Sequence, residues 1–373
     1  MGQPVPSLKL LDEASASPPA ALPSLLGLPV EALEQTCQDL EQPAYRGRQI
    51  FQGIMQKGID SFDSLTNLPK QFRAELIERY TLARPKILKR EVSDDGTRKY
   101  QMQGVDGAIF EAVYIPSVAK TGKTNTLCIS SQTGCAVGCR FCYTASLRRN
   151  RNLAASEIVG QVLAAQDDVR ELGEKSRITN IVFMGMGEPL LNYAEVVKSI
   201  QVLTHPLGPD FSTRRVTVST AGIVPRIYEL GNDVQTQLAI SLNATTDAVR
   251  DQVMPINRKW PIHELLQAMR DYPLKSRRRI TVEYVLLKDI NDTDEDALRL
   301  VKLLDGIRVK VNVLPLNDHD RTPYETPSPQ RVEAFMAILR DKGLNAIART
   351  PRGQDISAAC GQLGETVVTA ATS

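Results

Sequence analysis

The chain has 373 residues, 42% of them hydrophobic and 24% charged, and a formal net charge of +2, a balance that fits a globular protein. No run of about 18 apolar residues occurs, which argues against a membrane-spanning helix, and so small a net charge does not by itself announce a nucleic-acid partner. The first thirty residues carry acids and prolines through any apolar stretch and do not read as a signal peptide, so a cytoplasmic protein with reduced thiols is expected.

Residues 1–24, rich in Pro, Ala and Ser, read as a poorly ordered arm. Residues 25–84 read as a small helical module, because VEALEQTCQDL, RGRQIFQGIMQKG and LPKQFRAELIERY each repeat apolar residues at helical spacing. From 85 to 123 the period changes. KILKREV, RKYQMQG and AIFEAVYI are short strands separated by DDGT and VDG, which are hairpin turns. Residues 124–350 alternate strand and helix. The strands NTLCIS, ITNIVFM, RVTVST, QLAISL, ITVEYVLL and VKVNVLPL form six βα-type units, which predict an α/β fold with a parallel sheet curved into a partial barrel. In such folds function collects at the C-terminal ends of the strands, where GMGEP, STAG, SLNA and LPLND all fall. Residues 351–373 form a C-terminal segment. Two basic runs, Arg148, Arg149 and Arg151, then Lys275, Arg277, Arg278 and Arg279, are candidate RNA contacts or solvated faces.

Half of the six cysteines stand close together in GCAVGCRFCYTA: Cys135, Cys139 and Cys142. Disulfides are disfavoured in a reducing compartment. A structural zinc site needs four ligands, and His205, His263 and His319 lie at unrelated spacings. A zinc-stabilised RNA-binding protein stays open as a reading without catalysis. An iron–sulfur cluster held by three thiolates, with one iron free, is the third reading. On strand pattern alone Cys128 is a buried strand residue, Glu111 a solvent-facing one, and Cys37 and Cys360 are inert thiols.

The spacing C-x3-C-x2-C after a first barrel strand resembles the signature of radical S-adenosylmethionine (SAM) enzymes. That resemblance implies a [4Fe-4S] cluster on Cys135, Cys139 and Cys142 whose open iron binds SAM, which is then split into methionine and a 5′-deoxyadenosyl radical. In GMGEP, Gly187 and Glu188 correspond to the segment that holds the SAM amino group, and an ammonium needs such acceptors. Ser219, Ser241, Leu242, Asn243 and Asn317 end later strands as further SAM contacts.

A closer similarity extends over residues 30–365. TLCISSQTGC, FMGMGEPLLN, RVTVSTAGIVP, LAISLNA, VNVLPLN and RTPRGQDISAACGQL follow the order seen in the RlmN family. The resemblance implies methylation of adenine carbon 2 in 23S ribosomal RNA (adenine 2503) and in transfer RNA (adenine 37), consuming two SAM per methyl. It also implies a reducing donor such as flavodoxin or ferredoxin, and a monomer. The related Cfr family, which methylates carbon 8, is the alternative. By the same resemblance Cys360 is the thiol that becomes S-methylcysteine, and Cys128 resolves the protein–RNA adduct through a transient Cys128–Cys360 disulfide. Glu111 is the matching proton acceptor. Three features depart from the family pattern: Asn243 stands where histidine is common, Arg148 and Arg149 replace a Gly-aromatic pair, and four extra residues fall within SVAKTGKTN.

Overall fold

The computed structural model describes residues 22–117, 124–147, 150–173 and 177–364. The N-terminal arm as far as residue 21, Arg148, Arg149 and most of the SVAKTGKTN insertion therefore lie outside the described residues.

Three helices come first: α1 (Val30–Asp39), α2 (Tyr45–Met55) and α3 (Lys70–Arg79). They bury Leu33, Cys37, Ile50, Phe51 and Leu76 from one stripe each, as their spacing requires. Cys37 is fully enclosed, and burial pushes its thiol up to about 11. Gly27, with φ +83°, brings the entry to this module against α4 (Ala155–Arg170), where a Cβ would stand 2.5 Å from the Ser156 nitrogen.

The ten strands among the described residues form one sheet in sequence order. β1 (Lys86–Val92), β2 (Arg98–Gln103) and β3 (Ile109–Ile115) run antiparallel, and β3 pairs antiparallel with β4 (Thr126–Cys128). From β4 onward every pairing is parallel, through β5 (Asn180–Phe183), β6 (Val216–Thr220), β7 (Gln237–Ser241), β8 (Ile280–Leu286), β9 (Val309–Pro315) and β10 (Ala346–Ala348). The expected α/β architecture is thus present: the six expected parallel strands, β4 to β9, are preceded by helices and an antiparallel extension, and β10 adds a seventh parallel strand. The parallel strands carry apolar runs because both faces are covered. Leu238, Ala239 and Ile240 are consecutive and fully buried.

The covering helices include α4, α5 (Tyr193–Thr204), α6 (Val224–Asp233), α7 (Asp247–Val253), α8 (Ile262–Asp271), α9 (Asp294–Leu303) and α10 (Pro329–Asp341). The antiparallel extension is fastened to α4 by Asp168, which accepts hydrogen bonds from Arg98 (2.7 Å), the Tyr100 hydroxyl (2.8 Å) and Arg90. Arg151 belongs to this junction. Its guanidinium donates to Glu157 at 2.7 Å and to Asp106 at 3.0 Å, so its charge is engaged by two carboxylates rather than presented as part of a basic run. Lys275, Arg277 and Arg279 remain exposed, whereas Arg278 is half-buried and donates to the Gln235 carbonyl and the Thr213 hydroxyl.

Candidate active site

The C-terminal ends of the parallel strands open into one cleft of ≈ 980 Å³, counting its mouth. Cys135, Cys139 and Cys142 enter it from the loop after β4, Gly187 and Glu188 from the loop after β5, and Ser219 from β6. Ser241 and Asn243 follow from β7, Asn317 from beyond β9, and Cys360 from the C-terminal segment. Residues scattered over more than two hundred positions are thereby brought to a single void.

The loop after β5 sits directly on the loop after β4. Ser131 and Gln132 both donate backbone N–H bonds to the Met186 carbonyl, and the Gln132 side chain accepts from the Glu188 N–H at 2.9 Å. Only glycine permits this approach at Gly187: its φ is +101°, and a Cβ would meet the Gln132 Cβ at 2.6 Å.

Glu188 is buried, and its carboxylate bridges two strand ends. One oxygen accepts from the Leu190 N–H at 3.0 Å and the other from the Ala221 N–H at 2.7 Å. Burial nonetheless raises its pKa to about 7, because those bonds and Thr220 only partly offset the loss of water. With three donors on its four lone-pair sites, the carboxylate keeps room for a cationic ligand.

Beneath this rim lies Arg250, with no solvent exposure. It donates to the carbonyls of Leu242 (3.0 Å), Ala221 (2.7 Å) and Ser241 (3.1 Å) and to the Asn257 side chain (3.0 Å), tying the ends of β6 and β7 together. Burial pulls its pKa down to about 10, which still leaves it charged at neutral pH. Leu242 therefore sits behind the cleft rather than in it, with its N–H donating to the Glu283 carbonyl. Asn243 adopts φ +55°, a conformation asparagine tolerates well. Its side-chain oxygen accepts from the Val285 N–H at 2.8 Å, and its amide nitrogen contacts the Met254 sulfur at 3.2 Å.

All three clustered thiols are raised, and Cys135 and Cys139 are each raised in part by a neighbouring thiol. Burial comes first, then Cys142 acting on Cys135, and Cys135 and Cys142 acting on Cys139. Opposing this, backbone N–H groups favour anionic sulfur: Val137 at Cys135, and Ala145 and Thr144 at Cys142. Among the described residues no three His, Cys, Asp or Glu side chains are gathered closely enough to hold a single metal ion. Three thiols around a roomy pocket, with backbone donors ready for thiolates, fit a multi-iron cluster better than one zinc ion.

Cys128 ends β4 at 8% exposure, paired with Val113 of β3 and Val182 of β5. Burial raises its thiol strongly, and the next contribution is the nearby Cys360. Cys360 is exposed and lines the cleft; the protein around its sulfur nonetheless raises its thiol, with Glu283 adding to the effect and Arg349 opposing it. All six cysteines are free.

Glu111 differs from the solvent-facing position its strand pattern predicts. It has no exposure, because the C-terminal segment closes over it and its carboxylate accepts the Gly364 N–H at 2.8 Å. By register it lies two residues before Val113, the partner of Cys128, and so on the same sheet face as that thiol.

The Cys360 segment is held from several sides. Tyr143, next to Cys142, donates its N–H to the Gly361 carbonyl at 2.7 Å, and the Thr144 hydroxyl donates to the Leu363 carbonyl at 2.7 Å. Asn317 donates to the Cys360 carbonyl at 2.9 Å and accepts from Gln354 at 3.0 Å. One cleft residue escapes sequence reasoning altogether: Glu283 on β8, largely buried, accepting from Asn312 at 2.8 Å, its pKa raised by burial. An acidic residue inside the apolar run ITVEYVL was the available signal.

Comparison with known proteins bears on this arrangement. Residues 129–301 match the family model described as the Radical SAM superfamily, and residues 24–82 match that of the ribosomal RNA large subunit methyltransferase N-terminal domain. The chain is 49% identical over 339 residues to the dual-specificity RNA methyltransferase RlmN of Geobacter sulfurreducens, covering 90% of this chain and 91% of that one. The chain belongs to the RlmN family.

A second family member, from an Anaeromyxobacter species, is 47% identical over 348 residues, with 92% and 91% of the two chains covered. The crystal structure of a radical SAM methyltransferase from Sphaerobacter thermophilus superposes with a TM-score of 0.86 at 42% identity, covering 92% of this chain and 99% of that one. As an RlmN-family protein the chain is a radical SAM RNA methyltransferase, and the cofactors of that chemistry are a [4Fe-4S] cluster and SAM. No helix among the described residues is long and apolar enough to cross a membrane.

Proposed function

We propose that the enzyme methylates carbon 2 of adenine, acting on adenine 2503 of 23S ribosomal RNA and adenine 37 of transfer RNA as a cytoplasmic monomer. The reading is carried by two unclustered thiols: Cys360 is near enough to Cys128 to raise its thiol, and it is near Cys142 of the three-cysteine loop. A methyltransferase passing the methyl directly from SAM to RNA has no use for that pair. Carbon 2 of adenine is electron-poor and does not attack a methyl donor unaided, so a carrier thiol answers a chemical need.

Cys135, Cys139 and Cys142 would hold the cluster. Together with SAM it supplies methyl groups and a hydrogen-abstracting radical, given an electron from a flavodoxin- or ferredoxin-like donor. Gly187 and Glu188 receive the ammonium of SAM, and Ser219, Ser241 and Asn243 supply neighbouring polar contacts. Leu242 contributes by shaping the strand end that Arg250 fixes. Asn317 holds Cys360 through its carbonyl and also faces the SAM space.

Cys360 carries the methyl group and joins it to the base. Glu111, which holds the same segment through Gly364, takes up the carbon-2 proton. Cys128 then attacks the Cys360 sulfur, the new S–S bond replacing the bond from that sulfur to the methylene carbon; the carbon takes up a proton to become the methyl group of the released RNA, and an external reductant must open the disulfide. The N-terminal helices and the exposed Lys275, Arg277 and Arg279 are proposed RNA contacts.

The test is to incubate cluster-loaded enzyme with SAM, a reductant and RNA fragments, then identify the nucleoside by mass spectrometry. Carbon-2 methyladenosine supports the proposal. Carbon-8 methyladenosine would place the enzyme with Cfr-type chemistry instead.

A further inference from the structure

The turn between β1 and β2 is far from the cluster loop in sequence and lines no part of the cleft, yet the segment leading to Cys360 is fastened to it. Asp95 accepts from Arg352 Nε at 2.6 Å and from the Gly353 N–H at 3.1 Å, while its own carbonyl accepts from the Arg352 guanidinium at 2.8 Å. The other carboxylate oxygen accepts from the Thr97 N–H at 2.8 Å, which fixes the turn itself. Beside it the Ser93 hydroxyl donates to Asp355 at 2.6 Å, and the nearly buried Lys99 ammonium donates to the Ile356 carbonyl. Gly353, at φ +63°, is packed so closely that a Cβ would stand 2.9 Å from Thr97 Cγ2. Burial works against the Asp95 carboxylate, but the bonds from Thr97, Arg352 and Gly353 hold it well below the ordinary carboxylate range.

The segment therefore has two sets of holds with Cys360 near the second. Downstream, Gly361, Leu363 and Gly364 are bound by Tyr143, Thr144 and Glu111, groups of the reaction site itself. Upstream, Asn317 at the cleft accepts from Gln354, but the holds made by Asp95, Ser93 and Lys99 belong to the β1–β2 hairpin, which lines no part of the cleft. If Cys360 is the methyl carrier, it must meet a methyl donor, a base and the Cys128 sulfur in succession, and the downstream holds stand where those partners act. The upstream hold can persist through all of these stages.

The geometry points to Asp95 as a positioning residue. With Arg352 and Gly353 it forms a fixed pivot on the β1–β2 turn that limits where Cys360 travels between its successive partners. This rests on the carrier reading of Cys360. Its consequence is coupling: a carrier that strays by about an ångström loses productive encounters on the order of a hundredfold, while SAM cleavage at the cluster continues.

The experiment uses cluster-loaded wild type, Asp95→Ala and Arg352→Ala, approaching the contact from both sides. Two quantities are read: 5′-deoxyadenosine released per methylated adenine, and the rate at which iodoacetamide alkylates Cys360 in the absence of SAM and RNA. With iron content as in wild type, both variants should raise the first ratio about tenfold or more and alkylate Cys360 several-fold faster. Asp95→Asn, which keeps an acceptor but not the charge, should fall between. Wild-type values for both readouts in both variants overturn the pivot. So does loss of iron in both, which would make the contact a general structural staple. Failure of the carrier reading looks different: Cys360→Ala would still methylate RNA.

Discussion

Glu111 on β3 accepts a hydrogen bond from the backbone of Gly364, four residues past Cys360, at 2.8 Å. A buried carboxylate therefore touches the segment that carries Cys360 and shares a sheet face with Cys128. Replacing Glu111 by Gln keeps an acceptor for Gly364 but removes the proposed proton acceptor. Glu111→Gln should fold, load iron and carry protein-bound methyl, seen by intact mass, while RNA methylation slows by about a hundredfold or more. Undiminished RNA methylation would confine Glu111 to holding the segment.

Glu188 gives a pH signature. Its carboxyl titrates near 4.5 when unfolded and at about 7 in the folded protein, so between those values the folded state holds a proton that the unfolded state has released. Stability of the SAM-free protein accordingly falls as pH rises through this window and levels above it. SAM binding runs the other way, because an ammonium prefers the ionised carboxylate. Affinity for SAM should improve with rising pH up to about 7 and then flatten. Glu188→Gln should bind more weakly and lose this slope; an identical slope in both proteins would remove Glu188 from the ammonium site.

Arg250 holds three strand-end carbonyls, two of them on the buried residues Ala221 and Leu242. Arg250→Met fills much of the same volume and leaves those acceptors unpaired. We expect a loss of about 3 kcal/mol or more in denaturant unfolding, together with weaker SAM binding as Ala221 and Leu242 shift. A loss below about 1 kcal/mol would contradict the role assigned to this side chain.

The barrel strands are legible in sequence because strands covered on both faces must be apolar throughout, and the cysteine loop because its thiols are neighbours in the chain. Other features exist only through tertiary contact. β10, with three residues and one of them, Ile347, half exposed, has no pattern of its own and forms because β9 offers an edge. Arg250 reads as an ordinary helix charge until β6 and β7 close over it. Glu111 looks outward on a two-residue period, since nothing nearby in sequence announces that residues 361–364 will cover it. The grip of Asp95 on Arg352 spans 257 positions and is invisible to any local rule. The roles of Cys128 and Cys360 came from family resemblance, not from their surroundings in the chain.

The most direct measurement concerns Cys128. If this thiol only packs the end of β4, Cys128→Ala is a small-for-small change that leaves turnover intact. If it resolves the adduct, the variant should run every earlier step and stop with RNA bound to Cys360 through the new carbon. Cluster-loaded Cys128→Ala is incubated with RNA, reductant and SAM labelled in its methyl group, then run on a denaturing gel. The account predicts a labelled protein–RNA band that is absent when Cys360 is also replaced. Repeated turnover to methylated RNA, with no such band, would contradict it.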